Sequence, residues 1–160
     1  MQAVRQMLKH PPCTLRHPTF PCLSVALLVL AVGCGPDRPA TVPVSGVVTI
    51  DGQPPPGEGT IYFAAAEAAD GYPLRPATAQ FDASGYYETT TFEAGDGLIP
   101  GRYKIAVHCW QTPPNMDGRP VVSYIDDRYG SAGTSGLEDL EVAADAGRLE
   151  YDLDLQSSRP

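Results

Sequence analysis

From Val44 onward, short β-branched or aromatic runs alternate with Gly, Pro, Asp and Asn punctuation, the pattern of an all-β chain. Residues 44–50 alternate well and stop at Asp51-Gly52; Pro54-Pro55-Pro56-Gly57 then forms a stiff connection that no strand ladder can cross. Strands are predicted over 60–64, 76–81 and 86–92, the last two joined as a hairpin by the tight turn Asp82-Ala83-Ser84-Gly85. Between the first two of these, the alanines at 64, 65, 66, 68 and 69 make too short a run for a stable helix. A loop or helical turn is expected there, closed by Asp70-Gly71.

The strongest strand is 101–110. Tyr103, Ile105, Val107 and Cys109 share one face, and Arg102, Lys104, Ala106 and His108 the other. A short extended piece at 121–124 and strands over 137–142 and 149–155 complete the set. In the last, Leu149, Tyr151, Leu153 and Leu155 alternate with Arg148, Glu150, Asp152 and Asp154, which describes an edge strand with its acidic face in water. About seven strands over roughly 115 residues is the count of a single Ig-like β-sandwich.

Ahead of this region the hydrophobic pattern changes. Residues 1–22 carry Arg5, Lys9 and Arg16 as their only charges, and residues 23–32 are apolar except for Ser24. Spanning a bilayer takes about 20 apolar residues, and Pro18 and Pro21 limit any helix toward the N-terminus. A cleaved secretory signal is the expectation for residues 1–33. The junction Leu30-Ala31-Val32-Gly33-Cys34 resembles the lipobox of bacterial lipoproteins, although the leucine usual three places before the cysteine stands one place further back. That resemblance implies lipidation of Cys34, a membrane partner reached through the N-terminal lipid, and a place on a bacterial cell membrane or outer membrane facing the periplasm or exterior. Residues 34–43, with three prolines, are expected to be a lipidated tether, 44–156 the folded domain and 157–160 a tail.

Cleavage before Cys34 removes three basic residues and leaves eight against nineteen acidic ones, a net charge of −11. Such a surface disfavours nucleic acid as a partner and electrostatic attachment to anionic lipid. It also leaves Cys34 and Cys109 as the remaining cysteines, so with Cys34 acylated no disulfide framework can form. Cys109 reads as a small buried hydrophobe.

Four landmarks carry a further resemblance. Residues 44–54 are similar to the "G-x-V-x-x-D-G-x-P" opening of bacterial carboxypeptidase regulatory-like, or transthyretin-like, domains. Asp82-Ala83-Ser84-Gly85-Tyr86-Tyr87 resembles that family's "D-x-x-G-x-Y/F" hairpin, and residues 99–105 its "P-G-x-Y" entry to the central strand. The ending Tyr151-Asp152-Leu153-Asp154-Leu155 resembles the last strand of a lipoprotein subfamily. The resemblance implies an extracytoplasmic sandwich module without catalytic activity, whose partner is an unidentified envelope protein or glycan. Docking on an envelope enzyme or transporter by strand addition along 149–155 is the alternative.

The titratable residues point the same way. After cleavage His108 is the sole histidine, three residues before Gln111, so the "H-x-x-E" arrangement of zinc carboxypeptidases is missing. Hydroxyisourate hydrolases and intradiol dioxygenases, enzymes on related sandwiches, use several histidines. Any Ser or Cys nucleophile would have to share His108 as its base. No catalytic residue, cofactor site or metal site is therefore assigned. Calcium at Asp126-Asp127 or at the Asp82 turn is weighed, but neither has EF-hand spacing. Tyr86, Tyr87, Tyr124 and Tyr129 are either core and rim packing or an exposed face for carbohydrate or peptide.

Overall fold

Period-two alternation is a statement about faces, and the chain uses it to build one continuous surface. The computed structural model describes residues 38–158. They form ten strands: β1 (Val44–Ile50), β2 (Gly59–Ala68), β3 (Ala77–Phe81), β4 (Tyr86–Thr90), β5 (Gly101–His108), β6 (Trp110–Thr112), β7 (Val122–Ser123), β8 (Leu140–Val142), β9 (Leu149–Glu150) and β10 (Leu153–Leu155). A 3-10 turn, Asp127–Gly130, is the one helical element among the described residues.

The described chain is all-β. Its strands join along one hydrogen-bonded path in the order β10-β1-β4-β3-β2-β5-β8, with β9 also on β1, while β6 and β7 form a separate ribbon. β9 and β10 run parallel to β1 and the other pairs are antiparallel, so the main sheet is mixed. It curls into a half-barrel around its own inward side chains. Val44, Val48, Ile61, Phe63, Ala79, Phe81, Tyr87, Tyr103, Ile105, Val107, Leu153 and Leu155 fill that interior, all below one-tenth exposed. Phe63 sits at its centre, 6.4 Å from the Tyr87 ring and 6.5 Å edge-on from Tyr103.

Several expected boundaries move. The alanine-rich segment is strand, not loop, because β2 continues along β5 to the Ala68–Gly101 pair, absorbing one irregularity between Ala65 and Glu67. Arg102 fixes this extension by reaching Glu67 at 2.9 Å and Asp139 at 2.8 Å. The predicted strand 101–110 breaks after His108, and Trp110 starts the β6–β7 ribbon instead. The strand expected over 86–92 ends at Thr90, because the Asp96 carboxylate accepts from the backbone of Thr91, Phe92 and Glu93 and turns the chain there.

The predicted strand 149–155 is two short strands separated by Tyr151-Asp152. At the break the Asp152 carboxylate takes the Val47 N–H at 2.8 Å, doing the work of a strand carbonyl. Asp154 likewise accepts from Thr49 Oγ1 at 2.8 Å and Gly52 N at 3.1 Å. These carboxylates hold β1 rather than merely facing water. Gly46 is required here, since a Cβ on it would collide with the Tyr151 carbonyl. Asp51 and Gly52, both with positive φ, form the two-residue turn that pairs Ile50 with Gln53.

The ends also hold more structure than expected. Val42 is buried and pairs with Leu98, so the last residues assigned to the tether belong to the folded unit. Ser157 pairs with Ile125, and Ser158 N donates to the Tyr124 carbonyl at 2.9 Å, so these residues are not a free tail. The signal segment 1–33, the lipobox with Cys34, and residues 159–160 lie outside the described residues.

Candidate functional site

The register that points apolar side chains inward sends a second set outward. His108 pairs with Thr60, Thr60 with Gln80, Gln80 with Glu88, Glu88 with Ser45 and Ser45 with Glu150. A rung of hydrogen-bonding side chains therefore crosses the sheet at the spacing of its strands, about 4.8 Å. The next rung begins Ala106, Tyr62, Thr78, Thr90. Tyr62 and Tyr86 are both exposed on this outer surface, at 43% and 50%.

One corner of the face is aromatic. The His108 ring lies 5.2 Å from the Tyr62 ring and 5.0 Å from the Trp110 ring, tilted to both. His108 Nε2 is 3.1 Å from the Gly130 carbonyl. A carbonyl can only accept, so Nε2 carries the hydrogen and Nδ1 is left for other contacts. Trp110 reaches this side because Cys109 points into the core and the strand alternation then turns outward once more.

Glu58, Gln80, Asp82, Tyr86, His108 and Trp110 surround an open cleft of about 720 Å³. Its floor is the β2–β3 pair and one wall is the start of the β6–β7 ribbon. The Asp82 carboxyl is held below the usual carboxylate range, first by the Ser84 hydroxyl at 2.5 Å and then by the Ser84 N–H at 2.8 Å. Asp82 is thus an anion at neutral pH. The Tyr86 hydroxyl donates to Glu88 Oε1 at 2.8 Å, which raises its pKa by favouring the protonated phenol.

Of the four tyrosines considered for an exposed face, the structure brings only Tyr86 to the cleft. Tyr87 is buried, with its hydroxyl donating to the Tyr151 carbonyl, and desolvation pushes its pKa far up. Tyr129 is buried too, and its hydroxyl accepts from Arg128 at 2.6 Å and from Gln156 N at 3.2 Å. Tyr124 is half-buried against the core. Tyr62 and Trp110 were missed by sequence reasoning. Both lie on the same strand parity as His108 once β2 is registered on β5, so the signal was pairing rather than composition.

The remaining candidate residues are occupied structurally. Asp126 caps the 3-10 turn by accepting from Arg128 N at 3.0 Å. Cys109 is buried with Sγ 3.6 Å from the Glu58 carbonyl, and burial raises its thiol pKa, away from a reactive thiolate. Among the described residues no cluster of three or more His, Cys, Asp or Glu side chains could hold a metal ion. No protein-family model, curated protein or solved structure matches this chain.

Proposed function

We propose that this chain is a lipid-anchored, non-catalytic β module of a bacterial cell envelope, of the transthyretin-like sandwich type, and that it works as a binding surface through its outer-face cleft. The observation that carries the binding role is the combination of exposed rings and hydrogen-bonding side chains around one cleft, with His108 committed to a backbone carbonyl rather than to a nucleophile. Such a surface is suited to recognition. The family resemblance draws support from where its landmarks fall. The Asp51-Gly52 turn closes β1, the 82–85 turn joins β3 to β4 through a Gly85 N to Asp82 carbonyl bond of 2.9 Å, and Pro100-Gly101 leads into β5, where the Tyr103 hydroxyl donates to the Ile99 carbonyl at 2.7 Å.

The anchor is tested by mass spectrometry of the mature N-terminus. A diacylglyceryl-modified Cys34 as first residue is expected, and an unmodified chain starting elsewhere removes the anchor. The binding role is tested by retention of the mature chain, made without its lipid as Cys34→Ser, on isolated, washed envelopes, so that only the protein surface can hold it. The chain with the intact cleft is expected to be retained and a Tyr86→Ala, Trp110→Ala double variant released, and equal retention of the two removes the cleft from the function.

A second reading, an accessory subunit docked on an envelope enzyme or transporter, is favoured by one feature. Met116, Val121 and Val122 are exposed apolar side chains on and beside the β6–β7 ribbon. Strand addition along 149–155 is the weaker route, because that edge is broken into strands of two and three residues. Recovery of one stoichiometric protein partner after detergent extraction would favour docking.

A further inference from the structure

We propose that the outer-face cleft takes a neutral saccharide, recognised by side chains alone; this rests on the binding role given to the cleft above and adds the ligand class. Three features of the site select that class.

The first is the backbone. The cleft floor is formed by β2 and β3, and β2 is paired on both sides, with β3 and β5, as β3 is with β2 and β4. No strand edge opens into the floor, and β6 in the wall, paired only with β7, is three residues long and followed by Pro113, so an extended peptide would find at most a very short main-chain ladder there. A ligand has to be held through side chains, which favours a molecule that is itself dense in hydroxyl groups.

The second is the mixture of side chains. His108 and Trp110 line the cleft with ring centroids 5.0 Å apart and the exposed Tyr86 ring lines it too, giving apolar faces for the C–H surface of a sugar ring, while Tyr62 packs against His108 from outside the lining. Thr60 and Gln80 stand on the rung beside them, and Gln111 lines the wall. Amides and hydroxyls both donate and accept, as vicinal hydroxyls do, so each can satisfy a sugar hydroxyl in either sense. A hydrocarbon ligand would leave these groups unpaired.

The third is charge. Glu58 and Asp82 line the cleft and Glu88 stands on the adjoining strand. Asp82 is kept ionised by its own turn. Anionic ligands such as uronic acids, phosphosugars or lipid head groups would meet repulsion, whereas a neutral sugar can donate its hydroxyls to these carboxylates.

Trp110 is the chain's single tryptophan, so its emission reports on the cleft directly. The test uses the full chain in a detergent without a sugar head group, titrated with neutral cello-, xylo-, manno- and chito-oligosaccharides. A saturable change in Trp110 emission with at least one series is expected. Isothermal titration calorimetry of Tyr86→Ala and Trp110→Ala should show affinity for that sugar falling roughly tenfold or more, and Gln80→Ala should weaken it less. Far-ultraviolet circular dichroism of each variant must match wild type, and Gln80→Glu gives a second variant at an exposed position that need not disturb folding. No response to any neutral series overturns the proposal, as does unchanged affinity in both ring variants. Tighter binding of oligogalacturonate than of its neutral counterparts overturns the charge argument, and with it the proposal. A response to a proline-rich peptide in place of sugars also overturns the ligand class while leaving the cleft as the binding surface. Failure of Trp110→Ala to alter envelope retention, by contrast, strikes the earlier reading itself.

Discussion

Tyr62 and Phe63 are consecutive residues of β2 and face opposite worlds. Phe63 is fully buried between Tyr87 and Tyr103, whereas Tyr62 is 43% exposed and touches the His108 ring. The same contrast repeats at Tyr86 and Tyr87 on β4, one bonded to a surface carboxylate and the other to a buried backbone carbonyl. The inner face is redundant in kind: many apolar side chains serve one purpose, and their removal is felt as lost stability. The outer face is heterogeneous: Arg102, Asp152 and Asp154 hold strand ends, whereas the exposed side chains that line the cleft include none of these and contribute little to holding the sheet. Stability and recognition are therefore carried by alternate residues of the same strands, and they should separate cleanly under substitution.

The sharpest way to break that division is at its centre. Phe63→Ala deletes a ring with no solvent to replace it, and a cost of about 3–5 kcal/mol in urea-induced unfolding is expected. A cost below about 1 kcal/mol would mean that the curled sheet has no tightly packed centre. Next in size is Gly46→Ala, where the added methyl meets the Tyr151 backbone rather than a yielding side chain. About 1–3 kcal/mol is expected by the same measurement, and the loss should be larger than for Gly147→Ala, whose added methyl meets nothing and whose φ is not positive.

A pH titration sharpens the comparison between the two classes of tyrosine. Burial raises Tyr103 from its ordinary 10.0 to about 12, and Tyr87 is raised further by desolvation. The unfolded chain loses these protons near pH 10, while the folded chain keeps them, so their stabilisation is complete below pH 10 and is lost as pH rises toward 12 and beyond. Melting temperature should fall steeply in that window, and Tyr103→Phe should flatten the fall. A profile unaffected by Tyr103→Phe would show that its phenol does not titrate with unfolding.

The sequence made the inner face largely legible, because Val44, Val48, Ile61, Phe63, Tyr103, Ile105 and Val107 follow one alternation and that parity places most of the buried side chains, with Ser45 and Ala106 buried on the other parity. Strand ends were harder. The alanines after Phe63 have helix propensity, yet pairing with β5 and the Arg102 bridges override it. The 149–155 segment looks like one strand, and only its contact with Gly46 reveals that Tyr151 and Asp152 leave the ladder. The cleft was legible only in fragments. Tyr86 and His108 stood out as residue types, but their meeting with Trp110 at one cleft depends on which strand lies beside which, and no local pattern encodes that.

The smallest expected effect is the most discriminating. Tyr62→Ser removes a whole aromatic ring one residue away from Phe63, so any account in which β2 is stabilised by its aromatic content as such predicts a large loss. Exposure and an outward rung predict a change within about 0.5 kcal/mol in urea unfolding. The lost ring does break its contact with His108, but His108 keeps its bond to the Gly130 carbonyl and the β2–β5 pairing is unaltered. A loss approaching that of Phe63→Ala would show that the outer rings brace the sheet, and the separation between a face that holds and a face that recognises would fail at its closest pair.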